Sequence, residues 1–122
     1  MKLWTENTTV AAPSGEIIAE TILGLKEADY AILGPADEVF IQTMLTEHGY
    51  LLEKRDGDAA SHYEAIPLDG RSRLESKSPW WAFWAKPSKI HYFSSDEIIE
   101  AFCCYLEGNA NPAFSRWSQI WI

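Results

Sequence analysis

Glu53, Glu64 and His62 are the residues of this chain on which hydrolytic chemistry could be built. Two carboxylates in different surroundings can divide the roles of general acid and general base. Here they fall on similar parts of a hairpin predicted around Asp56-Gly57, with His62 beside them. The pair weighs little by itself, because eighteen Asp and Glu in 122 residues bring carboxylates together by chance. The other histidines, His48 and His91, stand at no HxxxH or i, i+4 spacing from a third, so no metal motif is read. A nucleophile elbow, a phosphate-cradling glycine loop and a zinc-deaminase signature are missing as well. No cofactor and no metal are expected, and an enzyme built on Glu53, Glu64 and His62 is the minor reading.

Cys103 and Cys104 are adjacent. A trans peptide holds neighbouring Cα atoms about 3.8 Å apart, short of the roughly 4.4–6.8 Å that disulfides span. They sit among Phe102 and Leu106 in what reads as a helix, as small core-facing thiols of a reducing cytoplasm. Another cluster is aromatic: Trp80, Trp81, Phe83 and Trp84 stand between Pro79 and Pro87. Such rings either finish the core of a small domain or form an exposed anchor, since aromatics dominate binding hot spots. Membrane contact would need Lys77, Lys86 and Lys89 to offset a strongly acidic total.

That total is a net charge of -8, from ten basic and eighteen acidic residues. A field of this sign disfavours phosphate backbones and anionic membranes and suits a basic protein partner. Asp29, Asp37, Glu38, Glu47, Asp56 and Asp58 fall at expected strand ends and turns, either as a solvated face or as a complement to a cationic partner. No apolar run reaches the roughly 20 residues of a membrane span. A hydrophobic fraction of 47% with 23% charged residues describes one globular domain over residues 1–122.

The elements that must position these residues follow from periodicity. Residues 1–10 predict one edge strand, broken at Ala11-Ala12-Pro13. Ser14 caps a helix of about three turns whose stripe is Ile18, Ile22 and Leu25, widened by Ile17. Residues 28–33 and 38–45 read as strands about a Gly34-Pro35-Ala36-Asp37 turn, with Val39, Ile41, Thr43 and Leu45 on one face and Phe40, Gln42 and Met44 on the other. Asp56-Gly57 between residues 50–55 and 60–66 is the strongest hairpin signal. Residues 90–93 predict a last short strand. Ser95 caps a second helix, with Asp96 and Glu97 in its first turn, Ile98, Phe102, Tyr105 and Leu106 on one face, and Gly108 stopping it. Residues 109–122 pack back on the body. The sum is α+β: an antiparallel sheet of about four to six strands with an N-terminal and a C-terminal helix packed on it.

Glu38-Val39-Phe40-Ile41-Gln42, Gly49 through Gly57, and His62-Tyr63-Glu64-Ala65 resemble segments of small bacterial proteins found beside secreted toxins. Ile98-Ile99-Glu100-Ala101-Phe102, Tyr105-Leu106-Glu107-Gly108 and Trp117 continue the pattern, which covers about residues 38–117. These residues are similar to those of immunity proteins of polymorphic toxin systems, including type VI and contact-dependent secretion. The resemblance implies a cytoplasmic protein that binds a cognate toxin and blocks its active site, with no catalytic residues of its own. The expected interface combines Trp80, Trp81 and Trp84 with the acidic Glu38, Asp56 and Asp58, without direct nucleic-acid or membrane contact.

Overall fold

The computed structural model describes residues 1–71, 73–75 and 88–120. Alternating apolar and polar residues generate strands β1 (Lys2–Thr5), β2 (Thr9–Ala11), β3 (Tyr30–Ala36), β4 (Val39–Thr46), β5 (Gly49–Asp56), β6 (His62–Pro67), β7 (Arg73–Glu75), β8 (Ser88–Ile90) and β9 (Ser115–Gln119). Two helices, α1 (Gly15–Leu23) and α2 (Ser95–Leu106), interrupt the series. Seven strands form one sheet in the order β2-β1-β3-β4-β5-β6-β9, and β7 pairs with β8 separately. Every pairing is antiparallel. The fold is therefore α+β, with more strands in its main sheet than the expected four to six.

Both helices lie on one face of the sheet. Ile18 and Ile22 of α1 and Ile98, Ala101 and Phe102 of α2 share a buried cluster with Leu3, Ala31, Leu33, Ile41, Leu52 and Ala65. Cross-strand partners point to the same side, so the pairs Leu3 with Leu33, Ala31 with Thr43, Leu33 with Ile41, and Thr43 with Leu52 define the covered face. Each of the six largest fully buried aliphatic side chains would contribute about 1.5–3 kcal/mol by leaving water. The alternation read along residues 38–45 holds, with Ile41 and Thr43 inward and Gln42 and Met44 on the other side.

Several expected boundaries move, each for a local reason. The first ten residues fold as a hairpin, because Thr5 N–H donates to Thr8 O at 2.9 Å and their hydroxyls meet at 2.9 Å. Helix α1 therefore follows two strands and is not N-terminal, and β9 after α2 means that α2 is not C-terminal. Gly34 and Pro35 belong to β3, and the turn sits at Asp37-Glu38. Register shifts between Leu33 and Ala36. Gly34 lies so close to β4 there that a Cβ would stand 2.2 Å from Val39 O.

The Asp56-Gly57 connection is wider than a two-residue turn. Asp56 still pairs with Val39, and Gly57 N–H donates to Glu38 O at 2.7 Å, which spends both residues on β4. Asp58 then caps a 3-10 turn at Ala59–Ser61 before β6 begins, and Arg55 with His62 is the outermost pair of that hairpin. Gly57 does hold a positive φ, +121°.

The N-cap of α2 is Ser94 and not Ser95. Only Ser94 places Glu97 at the third helical position, where the two close a reciprocal capping box. Ile17 is exposed and does not widen the α1 stripe. The tail does pack back, as β9 against β6, and Phe114 lies 5.6 Å from Phe93.

Candidate functional site

Among the described residues, no helix lies on the other face of the sheet. One row of cross-strand neighbours runs over six strands: Trp4, Ile32, Gln42, Glu53, Glu64 and Ser118. Beside it lie the rows Tyr30, Met44, Leu51 and Phe40, Arg55, His62. Period-two alternation puts them all on this side, because their neighbours in sequence fill the core on the other.

A continuous chain of polar side chains crosses this face. Arg55 donates through one terminal nitrogen to Glu38 Oε2 at 2.8 Å and through Nε to His62 Nδ1 at 3.2 Å. His62 Nε2 meets Glu53 Oε1 at 3.3 Å, and Gln42 Nε2 donates to the same oxygen at 2.7 Å. Phe40 supports the chain from below: the Arg55 guanidinium lies 5.6 Å over its ring, and His62 packs edge-on at 6.4 Å. His62 is only 6% exposed as a result. Glu53 and Glu64 face each other across β5 and β6, a like-charge pairing that is unfavourable alone. The donors from Gln42 and His62 offset it on the Glu53 side.

Next to Glu53 the face dips into a hollow of about 310 Å³ lined by Tyr30, Ile32, Gln42, Met44, Leu51 and Glu53, with Thr43 at its floor. The Thr43 hydroxyl donates to Leu51 O at 2.6 Å and is spent on the backbone. Among the described residues, Glu53 is the one charged member of this lining.

The structure brings Glu53, Glu64 and His62 onto one surface, as the hairpin pairing implies. The residues that complete the arrangement, Gln42, Arg55, Tyr30 and Met44, were not singled out from sequence. The signal was present in the alternation of Phe40, Gln42 and Met44, but only the register with β5 sets Gln42 opposite Glu53. Of the acidic interface candidates, Glu38 pairs with Arg55, Asp56 with Lys54 at 3.1 Å, and Asp58 accepts from Ser61 N–H at 2.9 Å. Lys54 is itself held between the rings of Tyr63 and Trp117 at 5.1 and 5.0 Å. Trp80, Trp81 and Trp84 lie outside the described residues.

The remaining chemistry-bearing residues are dispersed. His48 sits in the β4–β5 turn, 3.1 Å from Glu47 and edge-on to Tyr92, and His91 Nδ1 lies 3.5 Å from Arg71 O. Burial pushes the Cys103 thiol above its ordinary range, and Cys104 and Glu107 add to the shift. Among the described residues no three His, Cys, Asp or Glu side chains are grouped to hold a metal ion, and no helix is long and apolar enough to cross a membrane. In comparisons with known proteins, no family model, no curated protein and no solved structure matches the chain.

Proposed function

We propose that this chain is an immunity-type binding protein that neutralises a cognate secreted bacterial toxin by laying the open face of its sheet over the toxin's active site. The observation that carries the reading is the interlocked chain Glu38–Arg55–His62–Glu53–Gln42 beside the apolar Tyr30, Ile32, Met44 and Leu51. Side chains already ordered by one another lose little freedom on binding, which is how a small surface reaches high affinity. Met44 is 42% exposed on a face that neither described helix covers, a place where an apolar residue favours a partner over water. The net charge of -8 supports a basic partner and fast, salt-sensitive association. The cytoplasm, where the toxin would otherwise act, is the compartment this role requires.

The test is capture from host lysate with tagged protein, followed by assay of the captured partner. The expected result is one stoichiometric partner whose toxic activity is suppressed at equimolar ratio. Met44→Arg should release it, whereas Leu23→Arg, on the exposed side of α1, should not. A partner without toxic activity, or one held equally by Met44→Arg, would refute the proposal.

The contact between His62 and Glu53, with Glu64 opposite, favours one second reading: a small hydrolase or ligand-binding protein using these three residues. Hydrolysis by the purified protein that disappears in both Glu53→Gln and Glu64→Gln would establish it.

A further inference from the structure

We propose that the hollow beside Glu53 is the seat for a single lysine side chain of the protein partner, with the ammonium on Glu53 Oε2 and the aliphatic stem along Ile32, Met44 and Leu51. The inference deepens the proposed function and rests on the reading that the open sheet face binds a protein.

Electrostatics select the sign of the occupant. Both hydrogen bonds to Glu53 end on Oε1, from Gln42 Nε2 at 2.7 Å and His62 Nε2 at 3.3 Å. Oε2 accepts none among the described residues, and the carboxylate side chain keeps 34% of its surface. Arg55, two residues along β5 from Glu53, is already committed to Glu38 and His62. Among the described residues, the hollow thus presents one uncommitted carboxylate oxygen and no positive charge of its own.

Its walls select the rest of the occupant. Ile32, Met44, Leu51 and the ring of Tyr30 are apolar, so the occupant needs an aliphatic body carrying a terminal cation. A guanidinium is best matched by two parallel acceptors, whereas an ammonium is a compact point charge served by one. With Oε1 already taken, the ammonium of lysine is the better match. Gln42 gives one of its two amide N–H groups to Glu53, and its own carbonyl oxygen is a further acceptor beside the hollow.

Shape points to a protein as the source. At about 310 Å³ the hollow is at the small end of ligand pockets, and Met44 at its edge is 42% exposed. A free amine would stay largely open to water, whereas a lysine on a docked surface is sealed by the surface that delivers it.

The first experiment is an NMR titration of the full chain with n-butylammonium, n-butanol and n-butylguanidinium, read at the Met44 ε-methyl, the Leu51 methyls and the Gln42 side-chain amide. Saturable shifts with a Kd on the order of millimolar are expected for n-butylammonium. Binding should weaken at least about tenfold for n-butanol and for Glu53→Gln, and it should persist in Glu16→Gln, an exposed carboxylate in the first turn of α1. No saturable shift, equal binding of n-butanol, tighter binding of n-butylguanidinium, or an unaffected but folded Glu53→Gln would each overturn the proposal.

The second experiment acetylates surface lysines of the captured toxin, free and in complex. One toxin lysine should be protected by the wild-type chain and become reactive with Glu53→Gln. A complex that protects none would exclude the seat while leaving the toxin-binding face intact. Binding of n-butylammonium without any captured toxin would instead remove the immunity reading, and with it the protein source of the lysine.

Discussion

Arg55 Nε donates to His62 Nδ1 across the β5–β6 pair at 3.2 Å, and that bond decides what the histidine can do. A guanidinium has no acceptor, so Nδ1 must present its lone pair and the ring proton belongs on Nε2. There it points to Glu53 Oε1, 3.3 Å away. The contact between His62 and Glu53 is then a hydrogen bond from a neutral imidazole, not an ion pair. Both ring nitrogens are occupied, and the histidine orients Glu53.

Arg55→Met keeps most of the stem over Phe40 but removes both donors. His62 Nδ1 then loses its partner in a nearly buried position, and Glu38 loses its cation. The expected cost is about 1–3 kcal/mol, read as a lower urea midpoint at unchanged slope. Nitrogen-detected histidine spectra should show the Nε2–H tautomer in the wild type and a mixture in the variant. A wild-type ring protonated on Nδ1 would refute the assignment.

Gly34→Ala tests the close approach of β3 and β4. The added Cβ would meet Val39 O at 2.2 Å and Phe40 Cα at 2.8 Å, both backbone atoms that cannot swing aside. The strands must separate or the bulge must shift, at a cost of about 2–3 kcal/mol or more. Gly57→Ala is the comparison, since nothing lies within 4 Å of its Cβ position and only the positive φ opposes it. Equal melting temperatures for the two variants would show that the approach at Gly34 is not needed.

Much of the frame was legible because it depends on local periodicity. Ile18 with Ile22, Ile98 with Phe102, and the alternation through residues 39–45 each declare which side is buried. What was not legible depends on register. The edge strands β2 and β9 are short, and nothing local marks β9 as a partner of β6. Asp56-Gly57 looked like a two-residue turn because its dipeptide fits one, but β4 also competes for Gly57. The polar chain was half visible: Glu53 and His62 stood out as residue types, whereas Gln42 and Arg55 matter only through the strands they face.

Cys103 should be a slow nucleophile. Burial first, then the neighbouring Cys104 and Glu107, raises its pKa and lowers the thiolate fraction at neutral pH. In a Cys104→Ser background, alkylation by iodoacetamide at pH 8 should run several-fold slower than that of a free cysteine thiol and accelerate at higher pH. A rate equal to the free thiol would mean that α2 does not shield the sulfur.

Glu97 gives the fold a dependence on pH that can be signed in advance. Burial pushes its carboxyl up, but the Arg71 guanidinium and the Ser94 backbone and hydroxyl outweigh it and hold the group below its ordinary range. Ser94 N–H donates to Glu97 Oε1 at 3.0 Å, and Arg71 binds Oε2 while lying 5.4 Å over the Phe93 ring. A folded value below the unfolded one means that the native state binds fewer protons. The stabilisation is therefore present above the usual carboxylate range and is lost as pH falls from about 5 through the folded value. Arg71, whose own pKa is raised by the bond to Glu97, stays charged throughout this window. Glu97→Gln can still cap Ser94 but cannot pair with Arg71 as an anion. It should cost about 0.5–1 kcal/mol at pH 7, a partly exposed pair being worth no more. The deficit should shrink between pH 7 and pH 3, as the wild-type carboxyl takes up its proton on the way down through the folded value. Melting temperatures of both proteins at the two pH values decide it: a deficit of the same size at pH 7 and pH 3 would mean that the charge on Glu97 contributes nothing and that only the shape of the capping box matters.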